Sequence, residues 1–291
     1  MEAIKTIQAI KSLVKQQKAT GKSIGFVPTM GFLHEGHLSL IKQAKLENDF
    51  VVVSIFVNPL QFGEGEDYDR YPRDVEKDNM LLQSLGVDVL FHPEVSEMYP
   101  GKLSAQIVVR EGVNVLCGAK RPGHFDGVAT VVMKLFQIVL PDKAYFGLKD
   151  AQQVAVIERL VKDYHLDVEI IRGRTVREED GLAKSSRNVY LTERERKEAP
   201  AIYQALLKTK EKLLQDSTKT GSEIESFLNE LLTVRLSGKV DYAEVRSFPD
   251  LKKLTSLEGE IIIAAAVNYS KARLIDNVIV QLPTGDAPRE E

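Results

Sequence analysis

Cysteine is almost absent. Cys117 is the only one in 291 residues, so no disulfide can form within the chain. Long hydrophobic runs are missing too. The two longest, Phe50 to Val57 interrupted only by Ser54 and Ile261 to Val267, fall well short of the ~20 residues that span a bilayer, and they read as buried strands. The opening MEAIKTIQAI lacks the apolar core of a secretory signal. These absences lead us to expect a cytoplasmic protein with no membrane partner. Charge of one sign is lacking as well: the formal net charge is −3 and the pI near 6.1. Nothing then attracts nucleic acid in bulk, and any polyanion must be held by a local basic cluster, which favours a small phosphate-bearing ligand. We find no internal repeat and no low-complexity segment.

What remains is ordinary globular-enzyme composition, 43% hydrophobic and 28% charged, in a chain long enough for two domains. Ile4, Ile7, Ile10 or Lys11, and Val14 recur at helical spacing before a β-rich run, Ser23 to Val27. After the turn residues Pro28 to Gly31, Leu38, Ile41 and Ala44 share a helix face and Phe50 to Val57 follows as a strand. The same alternation predicts helices near 72–85, 127–139 and 151–164, with strands near 87–91, 143–146 and 167–171. Such βα alternation implies a Rossmann-like, doubly wound parallel sheet whose ligands bind at the carboxyl ends of the strands.

The character changes after Arg177. Thr192 with Glu195 and Ser222 with Glu225 have the spacing of capping boxes, and Pro200 is expected to split the first of these helical stretches. Runs 240–245, 260–267 and 272–280 follow without helices between them, so the C-terminal part reads as a smaller α+β domain with an antiparallel sheet. We expect a nucleotide-binding domain over residues 1–176 and a lid over 177–291 that ends in a frayed tail, LPTGDAPREE.

The strongest local signal is Pro28-Thr29-Met30-Gly31-Phe32-Leu33-His34-Glu35-Gly36-His37, where a strand hands over to a helix. Two imidazoles three residues apart, beside the unpaired N–H groups and positive end of a helix, can hold a triphosphate. The bland alternative is that both histidines are surface or capping residues. A zinc-protease HExxH needs a four-residue step, and Gly21-Lys22-Ser23 is no P-loop, because Gln16 stands where its first glycine would be. The next strands end in Val57-Asn58-Pro59-Leu60-Gln61-Phe62 and Phe146-Gly147-Leu148-Lys149-Asp150-Ala151-Gln152-Gln153. Amides such as Gln61 and Gln153 can serve a hydroxy acid, Lys149 supplies positive charge, and Asp150 could accept from a ribose or simply cap a helix. Two more donor-rich loops are Arg121 to Gly127 and Arg177 to Asn188, the latter with Ser185 and Ser186 between Lys184 and Arg187 like a phosphate clamp.

Taken together, PTMGFLHEGH, FVNPLQF, the YPR at Tyr71 to Arg73, RPGHFDGVATVV, YFGLKDAQQ, REEDGLAKSSRN and RLIDN at Arg273 to Asn277 resemble the pantothenate synthetase family, within the nucleotidyltransferase superfamily of HxGH proteins. The resemblance covers nearly the whole chain. It implies a ligase that activates pantoate as an acyl adenylate with ATP, joins it to β-alanine, uses Mg²⁺ and forms a homodimer, with nucleotide and pantoate both bound by the 1–176 domain. It places His34, His37, Lys149, Ser185, Ser186 and Arg187 at the ATP phosphates, with His34, His37, Lys149 and Arg187 as the catalytic set. Gly147, Asp150 and Val176 fall around the ribose and adenine. Met30 and Tyr71 lie in its substrate pocket, Met30 among the ATP positions, while Gln61 and Gln153, with Tyr71, match its pantoate positions. No metal ligand is identifiable by spacing. The family usually has methionine where this chain has Lys184, which we keep among the ATP positions, its backbone and methylenes at the base and its ammonium expected to reach solvent. The rival readings are an adenylyl- or cytidylyltransferase acting on a phosphate-bearing acceptor, which would share the histidines, and a non-catalytic nucleotide sensor.

Overall fold

The computed structural model describes residues 1–63, 68–215 and 219–283. Most of the expected tail, residues 284–291, lies outside the described residues. The chain divides into two compact units.

The first unit comprises residues 1–110, 121–148 and 156–176. Its strands are β1 (Glu2–Ile4), β2 (Ile24–Thr29), β3 (Phe50–Ile55), β4 (Val89–Phe91), β5 (Lys143–Gly147) and β6 (Glu169–Gly173). The helices are α1 (Ile7–Ala19), α2 (Glu35–Glu47), α3 (Val75–Ser84), the short α4 (Val95–Met98), α5 (His124–Val139) and α6 (Ala151–Asp163), the last beginning in the second unit. The strands form one sheet in the order β1-β4-β3-β2-β5-β6, parallel throughout. From β2 the chain steps outward to β3 and β4, then returns to β5 on the other side of β2. The strand order therefore reverses between β2 and β5, the point where open α/β sheets bind ligands.

Side-chain alternation explains the two helical layers. Val27, Val51, Val53, Leu90 and Tyr145 meet Leu40, Ile41 and Ala44 of α2 and Leu82 of α3 in one buried cluster. Phe26 and Phe146 point the opposite way, and both meet the Phe136 ring of α5 edge-on, at 6.5 and 6.3 Å between centroids. Ile4 departs from the helical reading. It pairs with Phe91 in β1, because Thr6 caps α1 by accepting from the Ala9 N–H and so starts the helix beyond it.

The second unit comprises 111–120, 149–155 and the chain from Arg177 onward. It contains α7 (Glu193–Glu198), α8 (Ala201–Gln215), α9 (Gly221–Arg235), β7 (Lys239–Ser247), β8 (Gly259–Asn268) and β9 (Arg273–Leu282). The three strands form an antiparallel sheet, β7-β8-β9. Pro200 separates α7 from α8, and Thr192 with Glu195 forms a reciprocal cap, as the sequence suggests. The second capping box is Thr220 with Glu223, not Ser222 with Glu225. Ser222 is already helical, and Glu225 instead accepts from the Val245 N–H. One face of the sheet packs on α8 and α9 through Ile261, Ile263, Ala265, Val267, Leu274 and Val280. The other face bears Glu244, Arg273 and Asn277, which bond to the 111–120 and 149–155 segments.

Candidate active site

Within the first unit the expected site residues gather after β2 and β3. At the end of β2 the Thr29 hydroxyl donates to the Ser54 carbonyl and accepts the Gly31 N–H, which turns the chain out of the sheet. Gly31 and Phe32 both have positive φ, 83° and 53°. This turn is held from α3: the Asp78 carboxylate accepts the N–H groups of Phe32 and Leu33 at 2.8 and 2.7 Å. Asp78 is only 1% exposed. Burial pushes its carboxyl above the usual range, against the pull of those two N–H groups. Sequence reasoning missed Asp78, since nothing local marks a carboxylate that serves a turn 45 residues upstream.

His34 is the N-cap of α2 and His37 its third residue, and they cap the helix reciprocally. His34 Nδ1 accepts the Gly36 N–H at 3.1 Å, and His37 Nδ1 accepts the His34 N–H at 3.3 Å. The rings lie 4.1 Å apart, tilted by 38°. The capping and ligand-binding readings of this motif are thus compatible. Because each Nδ1 is an acceptor, each neutral ring carries its hydrogen on Nε2, and both present an Nε2–H donor. Gly36 is required by the cap: a Cβ there would come within 2.9 Å of the His34 ring.

Asn58 follows β3 and starts a 3₁₀ turn, Pro59–Gln61. Its side chain donates to the Gly127 carbonyl at 3.0 Å and to Gln61 Oε1 at 3.3 Å, and accepts from the Tyr99 hydroxyl at 2.8 Å. Gln61 is 9% exposed, and its Nε2 lies 3.1 Å from Met30 Sδ, so two expected site residues meet. Tyr71 is buried with its ring 6.2 Å from that of Phe62. The Arg121 to Gly127 loop supports this turn. His124 Nδ1 donates to the Gln61 carbonyl at 2.7 Å, which leaves Nε2 to accept from Arg121 at 3.0 Å. Gly147 ends β5, and Val176 is half-buried at the end of the unit.

The second unit holds the remaining expected residues. Lys149 and Asp150 lie in a 3₁₀ turn at the start of α6, their charges 3.6 Å apart. The two adjacent glutamines divide their work. Gln152 is consumed by the 111–120 segment, donating to the Gly112 and Val115 carbonyls and accepting from the Gly118 N–H. The half-buried Gln153 has no such assignment. In the 177–188 loop, Ser185 accepts from the Arg187 N–H and starts a 3₁₀ turn, Ser186–Tyr190. Lys184 corrects our expectation: its ammonium is not directed to solvent but pairs with Glu178 at 2.8 Å, and its side chain is 22% exposed. The loop folds back on itself between Arg177 and Ala183, which brings the two charges together.

A family profile described as Pantoate-beta-alanine ligase matches residues 2–279. A protein of Geobacillus thermodenitrificans (strain NG80-2) described as pantothenate synthetase is 54% identical over 283 residues, 97% of this chain and 98% of that one. Among solved structures, the pantothenate synthetase of Thermus thermophilus is 46% identical with a TM-score of 0.88, covering 96% of this chain and 99% of its own. The pantoate-beta-alanine ligase of Francisella tularensis, complexed with beta-gamma ATP and beta-alanine, is 40% identical with a TM-score of 0.76, covering 96% and 97%. A match of this extent, on a parallel sheet with HxGH at its switch point, leaves one conclusion: the chain belongs to the pantoate–β-alanine ligase family.

Proposed function

We propose that this chain condenses pantoate with β-alanine using ATP, through a pantoyl adenylate, releasing pyrophosphate and AMP. The observation that carries the reading is the paired cap of His34 and His37. It fixes two Nε2–H donors at the start of α2, in the same unit as the buried Gln61 and the half-buried Met30. In the first step a pantoate carboxylate oxygen bonds to the α-phosphorus and the bond to the β-phosphate oxygen breaks. A carboxylate of pKa about 4 is already ionised at neutral pH, so no general base is needed. What lowers the barrier is neutralisation of charge on the departing pyrophosphate, the role we give to His34 and His37, to Lys149 and Arg187, and to the hydroxyls of Ser185 and Ser186. Gly147, Asp150 and Val176 are the ribose and adenine positions of the same proposal. In the second step the β-alanine amine attacks the acyl carbon, AMP departs and the amine loses its proton.

Mg²⁺ belongs to the proposal as a companion of the triphosphate. Among the described residues, no group of three or more His, Cys, Asp or Glu side chains is arranged to hold a metal ion. Phosphate oxygens and water would supply most of its ligands, and its contribution would be charge neutralisation. A cytoplasmic homodimer completes the reading: the family resemblance implies the dimer, and no helix among the described residues is long and apolar enough to cross a membrane.

Pantoate-dependent exchange of pyrophosphate into ATP is the test, and Gln61→Ala and Gln153→Ala sharpen it. Each is expected to weaken pantoate saturation by about 1–3 kcal/mol, because hydroxyls or a carboxylate would be left unpaired, while the Michaelis constant for ATP stays near the parent's. No exchange with any acid tried would favour the non-catalytic nucleotide sensor. A loss confined to ATP would take both glutamines from pantoate and give them to the nucleotide.

Lys184→Met, which restores the family's usual residue, is expected to change the Michaelis constant for ATP by less than about 1 kcal/mol, since the ion pair with Glu178 that it removes is partly exposed. Tenfold weaker ATP binding at low ionic strength would instead make Lys184 a phosphate ligand.

A further inference from the structure

The RLIDN segment of β9 is singled out by the sequence, yet the reading above gives it no task. Its side chains are placed unusually for a strand in a hydrophobic sheet. Asp276 lies opposite Ala265 in the row of Leu274 and Val278, on the face that packs against α8 and α9, and is 5% exposed. Its two oxygens accept from Arg177 Nη1 and Nη2 at 2.6 and 2.9 Å, a fork-to-fork pair that sets orientation as well as distance. The Arg177 guanidinium also lies 3.4 Å from the centre of the Tyr203 ring and donates to the Gly181 carbonyl. From there the loop closes on itself: Glu178 N–H donates to the Leu182 carbonyl, and the Asn188 amide holds the Ala183 carbonyl at 3.0 Å. Lys184 to Arg187 thus hang between two fixed points, Ala183 and Asn188.

The next residue faces the other way. Asn277 is 8% exposed, and its amide donates to the Lys149 carbonyl at 3.1 Å. Two consecutive residues of one strand therefore fasten, one from each face, the root of the 184–187 loop and the backbone of Lys149. These are the two segments of this unit to which the proposed function assigns cations at the ATP phosphates. A buried ion pair of this kind adds little stability over apolar packing of the same volume, so its use here is placement rather than strength.

We propose that Asp276 and Asn277 are positioning residues for the adenylating step, holding Lys149 and the 184–187 loop in one frame on β9. This rests on the reading of Lys149 and that loop as phosphate-binding. Because D276N leaves Arg177 buried without its charge partner and puts folding at risk, the decisive variant is N277A. Assayed in the full-length enzyme below its melting temperature, N277A is expected to lower kcat for pantoate-dependent pyrophosphate exchange by about tenfold or more while the Michaelis constant for pantoate stays within about twofold, as for one misplaced donor to developing charge. In a K149M background the same change is expected to cost less than about twofold, because residues acting through one another are not additive. Parental exchange by N277A overturns the inference. So does a full multiplicative loss on top of K149M, which would mark Asn277 as merely structural. K149M with parental exchange would instead remove the underlying reading of Lys149, an outcome visible in that single variant alone.

Discussion

Replacing His37 with alanine is expected to lower the single-turnover rate of adenylate formation by about 10²-fold or more, the scale for loss of one preorganised donor to developing charge. The structure adds a second consequence. His37 Nδ1 accepts the His34 N–H, so alanine also removes half of the reciprocal cap on α2. That loss is worth about 0.5–2 kcal/mol of stability. The two effects separate in His37→Asn, whose amide oxygen can take over the cap but whose amide hydrogens do not reproduce the placement of Nε2–H. Its melting temperature should lie near the parent's, and its rate near that of the alanine variant. A parental rate in either variant would reduce His37 to a capping residue and leave charge neutralisation to the other donors.

The sequence made the outer frame readable because periodicity reports burial. Phe50 to Ile55 is buried throughout between two helical layers, and that is what an unbroken apolar strand records. The histidine motif is legible as a helix start because the residues that cap α2 are the same two to which the proposed function gives the phosphates. Features set by distant partners were not legible. Ile4 fits a helical pattern but is claimed by pairing with Phe91, more than eighty residues away, while Thr6 decides where the helix begins. Both Thr220 with Glu223 and Ser222 with Glu225 have capping-box spacing, and only the competing bond from Val245 to Glu225 discriminates between them. Of the adjacent glutamines, the sequence cannot say that Gln152 is consumed by carbonyls forty residues upstream. Likewise, the sequence cannot show that Lys184 meets Glu178, because the root of that folded-back loop is held by Arg177 on Asp276, a contact across 99 residues.

Gly127→Ala tests the least legible of these arrangements, the support beneath Gln61. Gly127 lies in the first turns of α5, where glycine is about 1 kcal/mol worse than alanine, so helix propensity alone predicts that the substitution stabilises. Packing predicts the reverse. A Cβ at this position would lie 2.2 Å from the Leu60 carbonyl oxygen and 2.6 Å from the Gln61 nitrogen, and these are backbone atoms that no side-chain rotation can move. The turn cannot withdraw without stretching the Asn58 bond to the Gly127 carbonyl and the His124 bond to the Gln61 carbonyl. Overpacking of about 1–3 kcal/mol adds to about 1–3 kcal/mol for each buried polar group left unsatisfied, which outweighs the propensity gain. We therefore expect a net loss of several kcal/mol, and at about 2–4 °C per kcal/mol a melting temperature lower by roughly 5–15 °C. In whatever folded enzyme remains, the Michaelis constant for pantoate should rise more than that for ATP, because Gln61 is what the turn carries. Gly123→Ala is the control: it has φ of 76° but nothing within 4 Å of a new Cβ, so it should cost only the roughly 1–2 kcal/mol of a left-handed residue and leave pantoate binding alone. If Gly127→Ala melts with the parent and saturates normally with pantoate, the close approach of α5 to the Leu60 carbonyl is not what holds Gln61 in place.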